Sequence, residues 1–290
     1  MASLYTSQEA KREIEDLYKE KLASLGIPYE VYKVETSYGQ TNVLATGDPN
    51  HPPLALVHGA NGCAPVALEV YPHLADHYRV FAVDVIGEPN LSAETRPDKK
   101  DNAYGYWLNE VIRQLALDNV TLVGFSLGGL VIWKTLLADE SNIKEAFLTA
   151  PAGIVNGNPL KGLRKVVIPV KRYMNTHNTK YIDQFLNEVF TEPDDFAHRF
   201  TGKVMLNFHL DFSSIPTIKK AEAKHIATPL TVVGAKHDIM FPGEKMIKRA
   251  RKIFPSLRQA VLLEDAKHVQ PREDNEKVEA MVLHRDGQDN

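Results

Sequence analysis

The chain has 290 residues, 43% hydrophobic and 24% charged, with 34 Lys+Arg against 37 Asp+Glu and a net charge of −3. This length supports a large core, as two domains or as one α/β domain, without a disulfide or metal to hold it. The near-neutral balance argues against a nucleic-acid or anionic-membrane binder, and a single cysteine, Cys63, excludes an internal disulfide and any multi-cysteine metal or iron–sulfur site.

Residues 7–25 carry Ile14, Leu17, Tyr18, Leu22 and Leu25 at helical spacing, and Gly26 and Pro28 stop the pattern. Residues 29–36 alternate apolar with charged and are followed by the turn Ser37-Tyr38-Gly39-Gln40 and a second strand, 41–46, which predicts an antiparallel hairpin at a sheet edge. After His51-Pro52-Pro53 the character changes to short apolar runs separated by helical patterns: 54–57, 80–83, 120–123, 146–148, 230–233 and 260–263. Strands buried on both faces read as such runs, so a doubly wound parallel sheet is expected. Between Gly153 and Lys224 no such run occurs. Helical stripes (Ile182, Phe185, Leu186, Val189, Phe190, then Phe196, Phe200, Val204, Phe208) fill the interval. The expected organisation is therefore a core of residues 1–153 and 225–290 with a helical lid inserted at 154–224. The polar tail after Leu283 is expected to fray. No signal-like apolar stretch opens the chain, and the longest uncharged stretch, Val120–Trp133, is too short and glycine-broken to span a bilayer. A cytoplasmic protein is expected.

The chemistry concentrates at Gly124-Phe125-Ser126-Leu127-Gly128, a G-x-S-x-G pattern directly after a predicted strand and before a helical run. The tight strand-to-helix turn presents the Ser126 hydroxyl, which needs a base and an orienting carboxylate to act as a nucleophile. Asp238 and His268 each follow a later predicted strand, and a parallel sheet delivers both loops to the edge where Ser126 emerges. The order Ser, Asp, His assigns His268 as base and Asp238 as its partner. His237, Glu264 and Asp265 are the competing neighbours. The loop His58-Gly59-Ala60-Asn61-Gly62 follows the first buried strand, so the backbone N–H groups of Ala60 and Leu127 are expected to form an oxyanion hole. Asn61, Gly62 and the lid aromatics Phe185 and Phe208 are candidate pocket residues. His58 reads as a structural histidine and Cys63 as a small buried hydrophobe. No phosphate-loop, dinucleotide or metal-ligand motif occurs, so neither a metal nor another cofactor is expected. The basic runs Lys161–Lys171 and Lys245–Lys252 read as solvated helix faces.

The His58-Gly59 loop, the Asp84-Val85-Ile86-Gly87 turn, the Ser126 elbow, the Gly234…Asp238…Pro242 loop and His268 together resemble the α/β-hydrolase superfamily over residues 29–285. More narrowly, the chain resembles its lidded carboxylesterase and carbon–carbon hydrolase branch. The resemblance implies an eight-stranded, mostly parallel sheet with a lid after the sixth strand. After Gly87 the family often has a second glycine and a serine, whereas this chain runs Glu88-Pro89-Asn90-Leu91-Ser92. A serine at position 126 disfavours dehalogenase and epoxide hydrolase chemistry, which use aspartate. The expected activity is cleavage of a small or medium carboxylic ester. Thioester, lactone or carbon–carbon cleavage and acyl transfer are open to the same triad, and a non-turnover ligand receptor on the same fold is the rival from another class. A monomer or homodimer acting on a small molecule, with no nucleic-acid or membrane partner, completes the expectation.

Overall fold

The computed structural model describes residues 3–283, so the expected fraying after Leu283 lies outside the described residues. Helix α1 (Gln8–Ser24) starts where the Ser7 side chain accepts the Ala10 N–H at 3.0 Å, and the chain turns out of it at Gly26 with φ +62°. Strands β1 (Glu30–Thr36) and β2 (Gly39–Thr46) form the expected hairpin, paired from Glu30↔Ala45 to Thr36↔Gly39. Next come β3 (Pro53–Val57), α2 (Ala64–Val70), β4 (Arg79–Val83), α3 (Ala103–Gln114), β5 (Val120–Phe125), α4 (Leu127–Ala138) and β6 (Ile143–Thr149). A helical excursion follows: α5 (Pro159–Gly162), a wider π-helical stretch (Leu163–Val167), α6 (Ile168–Thr176), α7 (Thr179–Val189), α8 (Asp195–Asn207) and α9 (Lys220–Ala223). The chain rejoins the sheet at β7 (Leu230–Ala235) and ends through α10 (Gly243–Ile253), β8 (Leu257–Leu263) and α11 (Arg272–Leu283).

These strands make one eight-stranded sheet in the order β1-β2-β4-β3-β5-β6-β7-β8. β2 is antiparallel to both of its neighbours, and every pairing from β4 to β8 is parallel. The apolar runs sit in the interior strands because helices cover both faces. Trp107, Leu108, Leu130, Ile132 and Met246 pack on one face, and Ile14, Tyr18, Leu68, Phe147 and Val278 on the other. β8, at the edge, is only partly buried along most of its length.

The excursion has a small core of its own, Val170, Tyr173, Ile182 and Met205. It is also fastened to the N-terminal segment, a feature that periodicity does not reveal. Tyr5 and Phe208 form a β-bridge, Arg199 pairs with Glu20 at 2.5 Å, and Glu13 meets Lys203 and Asn207, each at 2.8 Å.

Candidate active site

Ser126 occupies the one-residue turn between β5 and α4, at φ +53° and ψ −112°. That left-handed conformation costs a side-chain-bearing residue about 1–3 kcal/mol, and surrounding bonds hold it. The Ser126 N–H donates to Thr149 O at 3.0 Å, and its carbonyl accepts from Ala152 and Leu130 at 2.9 and 3.3 Å. The turn closes only because Gly128 lacks a side chain: a Cβ there would lie 2.1 Å from the Val57 carbonyl oxygen.

Two further loops converge on the hydroxyl. Asp238 lies three residues beyond the end of β7, and His268 five beyond the end of β8. His268 Nε2 stands 2.9 Å from Ser126 Oγ, and His268 Nδ1 stands 2.6 Å from Asp238 Oδ2. Asp238 Oδ1 accepts the N–H groups of Met240 and Phe241 at 2.7 and 2.9 Å. Burial pushes the Asp238 carboxyl upward, but the adjacent His268 and these N–H bonds outweigh it and hold the group below its ordinary range. The imidazole is flanked by the rings of Phe125 and Phe241, with centroids 5.0 and 5.5 Å away. All three polar residues are buried, whereas the competitors His237, Glu264 and Asp265 are exposed. The structure thus brings together Ser126, Asp238 and His268.

The loop after β3 packs directly on the Ser126 turn, since a Cβ on Gly59 would lie 2.8 Å from the Phe125 ring. Neither ring nitrogen of His58 bonds Ser126, Asp238 or His268. His58 Nδ1 donates to Gly59 O at 2.7 Å while Nε2 accepts the Val85 N–H at 2.9 Å. Full burial pushes His58 down to about 4, which keeps the ring neutral. Two N–H groups of this loop are already engaged: Gly62 bonds Gly59 O at 3.2 Å, and Asn61, at φ +58°, bonds Glu88 Oε2 at 2.6 Å. Among the described residues no acceptor pairs with the N–H of Ala60 or Leu127. Asn61 and Gly62 are half-buried on the same loop.

The aromatic pocket candidates separate. Phe185 is half-buried and packs against the excursion's own core. Phe208 is 1% exposed, edge-on to Tyr5 at 5.0 Å with the Arg96 guanidinium 5.4 Å from its ring centre. The structure therefore moves Phe208 from the expected pocket to the joint between excursion and N-terminal segment. The four-residue spacing that suggested a shared stripe continues past the end of α8, where the chain has left the helix.

Two buried carboxylates were not legible as site features. Asp84 accepts from Ala64 N–H, the Asn42 amide and the Tyr18 hydroxyl at 2.7, 2.7 and 2.9 Å, and burial pushes it up to about 6. Glu88 is pushed up to about 7 by burial, against the opposing pull of Asn61 N–H, Arg96 and Lys99. The departure from the family's usual second glycine was the available signal for Glu88. Cys63 is fully buried, which pushes its thiol well above the ordinary range and leaves it inert. Among the described residues no group of His, Cys, Asp and Glu is arranged to hold a metal ion.

The excursion is bonded to the loops that carry Asp238 and His268. Gly157 N–H donates to Met240 O at 2.7 Å, and Val269 N–H to Val189 O at 2.9 Å. Thr191 N–H returns a bond to Val269 O at 3.0 Å. The helices between β6 and β7 thus abut the loops that carry Asp238 and His268.

The chain is similar to two curated proteins of Bacillus subtilis (strain 168). One is the uncharacterized carboxylesterase nap, 26% identical over 283 residues that span 90% of this chain and 89% of the relative. The other is carboxylesterase YbfK, 26% identical over 296 residues that span 92% and 90%. Among solved structures, the naproxen esterase (carboxylesterase NP) of Bacillus subtilis superposes with a TM-score of 0.81 at 22% identity, covering 96% of this chain and 98% of that one. A sequence model of the alpha/beta hydrolase fold matches residues 52–271, which contain the Ser126 turn, the Asp238 loop and His268 and make up well over half of the chain. The chain belongs to the α/β-hydrolase fold family.

Proposed function

We propose that this chain is a serine hydrolase that cleaves a small or medium carboxylic ester through an acyl-enzyme. The observation that carries this reading is the continuous bond path from Ser126 Oγ to His268 at 2.9 Å and on to Asp238 at 2.6 Å. The carboxylesterase names of two full-length relatives support the choice of ester over the other carbonyl substrates open to such a triad.

In this reading Ser126 Oγ attacks the ester carbonyl while His268 Nε2 takes its proton. The carbonyl oxygen becomes an oxyanion held by the Ala60 and Leu127 N–H groups, which have no protein acceptor among the described residues. Collapse breaks the bond to the alkoxy oxygen, which leaves as an alcohol with the proton from His268. Water then adds to the acyl-enzyme with His268 again as base, and the acid departs as Ser126 regains its proton. Asp238 keeps Nδ1 protonated, so Nε2 is the free base at the start of each half-reaction. The helical excursion 154–224 acts as a lid: joined to the Asp238 and His268 loops, it excludes bulk water and shapes the acyl pocket, with Phe185 as its aromatic contributor.

The test is Ser126→Ala. Turnover of p-nitrophenyl butyrate is expected to fall by ~10⁴–10⁶ with the fold intact. A fluorophosphonate should add to the wild-type chain and not to the variant. Retained turnover in the variant refutes the reading.

A further inference from the structure

The helical run Pro159–Thr176, formed by α5, the π-helical stretch and α6, contains Lys161, Arg164, Lys165, Lys171 and Arg172 and no acidic residue, in a chain whose net charge is −3. Its outer side is also unusually apolar. Leu160, Leu163 and Ile168 are 76, 48 and 37% exposed, and Phe212, 49% exposed, joins them under Lys171 Nζ, 5.8 Å from its ring centre. These are four of the seven large hydrophobic residues exposed among the described residues. Asn158, Leu160, Lys161, Arg164 and Lys165 line an open hollow of about 490 Å³ at the start of the run. Lys165 is paired with Glu188 at 2.7 Å, but among the described residues neither Lys161 nor Arg164 has an acidic partner.

Exposed apolar side chains gathered in one place mark a contact surface, and interleaved cations state its charge preference. A polyanion such as duplex nucleic acid presents phosphates that engage the cations but leaves the exposed Leu160, Leu163 and Ile168 without an apolar partner of matching extent. A second copy of this chain placed face to face would bring two sets of five like charges together. An anionic lipid surface satisfies both halves of the patch: the apolar side chains enter the headgroup boundary while the cations meet phosphate groups. The other basic run, Lys245–Lys252 on α10, has cations without any exposed large apolar side chain, as a solvated helix face should. No helix among the described residues is long and apolar enough to cross a membrane, so the contact is a surface one.

We propose that the outer face of residues 159–176, with Phe212, is a docking surface for anionic lipid assemblies. The run begins two residues after Gly157, whose N–H bonds Met240 O beside the Asp238 loop, so docking brings the site-side end of the excursion to the lipid boundary. The proposal is independent of the ester-hydrolase reading, because binding is measured on protein lacking the Ser126 hydroxyl.

The experiment is flotation of full-length Ser126→Ala protein with phosphatidylcholine vesicles, with and without roughly 30% phosphatidylglycerol. Association with the anionic vesicles is expected to exceed that with the neutral ones at least tenfold and to weaken with added salt. Lys161→Glu/Arg164→Glu and Leu160→Ser/Leu163→Ser, each made in the same background, should both lose at least tenfold in binding at unchanged thermal stability. Equal binding to neutral vesicles, no binding, or binding retained by both double variants overturns the proposal. A concentration-dependent dimer that Leu160→Ser/Leu163→Ser abolishes, without vesicle binding by the parent, overturns it too and assigns the face to a second copy.

Discussion

Glu88→Gln removes a buried titrating carboxyl while keeping an oxygen able to accept the Asn61 N–H. In the folded chain burial moves this carboxyl from its ordinary 4.5 up to about 7. Between those values the unfolded chain has already released the proton and the folded chain has not, so stability falls as pH rises through the window. The contribution is intact below 4.5 and fully lost above about 7. At about 1.4 kcal/mol per pH unit, wild type loses about 3 kcal/mol relative to the glutamine variant across the window. At roughly 2 °C per kcal/mol for a chain of this size, that corresponds to a Tm difference of about 6 °C. The assay is thermal melting of both proteins at a series of pH values from acid to mildly alkaline. Other carboxylates titrate in both proteins and cancel in the difference. The variant should gain on wild type from pH 4.5 upward and hold a constant lead beyond pH 7. A difference independent of pH, or one in which wild type gains, refutes the account of Glu88 as a carboxyl kept protonated by burial.

Asp238→Asn should lower kcat by about 10⁴ without unfolding the chain. The amide oxygen still accepts from Met240 and Phe241, but its NH₂ group faces His268 Nδ1, forcing the proton onto Nε2 where a base is required; a loss below tenfold contradicts the orienting role. Phe208→Ala should cost about 3–5 kcal/mol of stability, read in chemical denaturation, and leave the ranking of ester chain lengths unchanged. Phe185→Ala should instead alter relative kcat/KM among those esters by about 1–3 kcal/mol, and an unchanged ranking would remove it from the pocket.

Much of this arrangement was legible because it rests on local rules. An apolar run without alternation means a strand covered on both sides, and Gly-Phe-Ser-Leu-Gly between such a run and a helical pattern can only be a tight turn. Parallel strands bring the residues that follow them to one edge, which is why Asp238 and His268 could be paired with Ser126 across 112 and 142 positions. What stayed hidden depends on contacts without a period. Glu88 is charged and follows a glycine, so pattern alone assigns it to a solvated loop; only the packed turn shows it facing Asn61 N–H. Phe208 continues a helical spacing beyond the helix that created it. The apolar patch on residues 159–176 was equally hidden, because Leu160 and Leu163 look like core positions until their exposure is known.

The buried carboxylates also explain why the proposed orienting role falls on Asp238. Asp84, Glu88 and Asp238 are all buried and all accept short hydrogen bonds. The donors bonded to Asp84, among them Ala64, Asn42 and Tyr18, carry no net charge, and its carboxyl drifts up to about 6. Glu88, bonded to a neutral N–H with Asp211 opposing the help of Arg96 and Lys99, drifts up to about 7. Only Asp238 combines two backbone donors on one oxygen with an imidazole on the other, and only Asp238 is held below its ordinary range. An imidazole taking a proton from Ser126 becomes a cation, and its partner must already be an anion. Glu88, raised to about 7, is only partly ionised at neutral pH, and Asp84, though largely an anion there at about 6, has its oxygens on Ala64, Asn42 and Tyr18 and not on His268. Asp84 and Glu88 instead serve as buried acceptors that fasten α1, β2 and the loop after β3, while the carboxylate at His268 Nδ1 is that of Asp238.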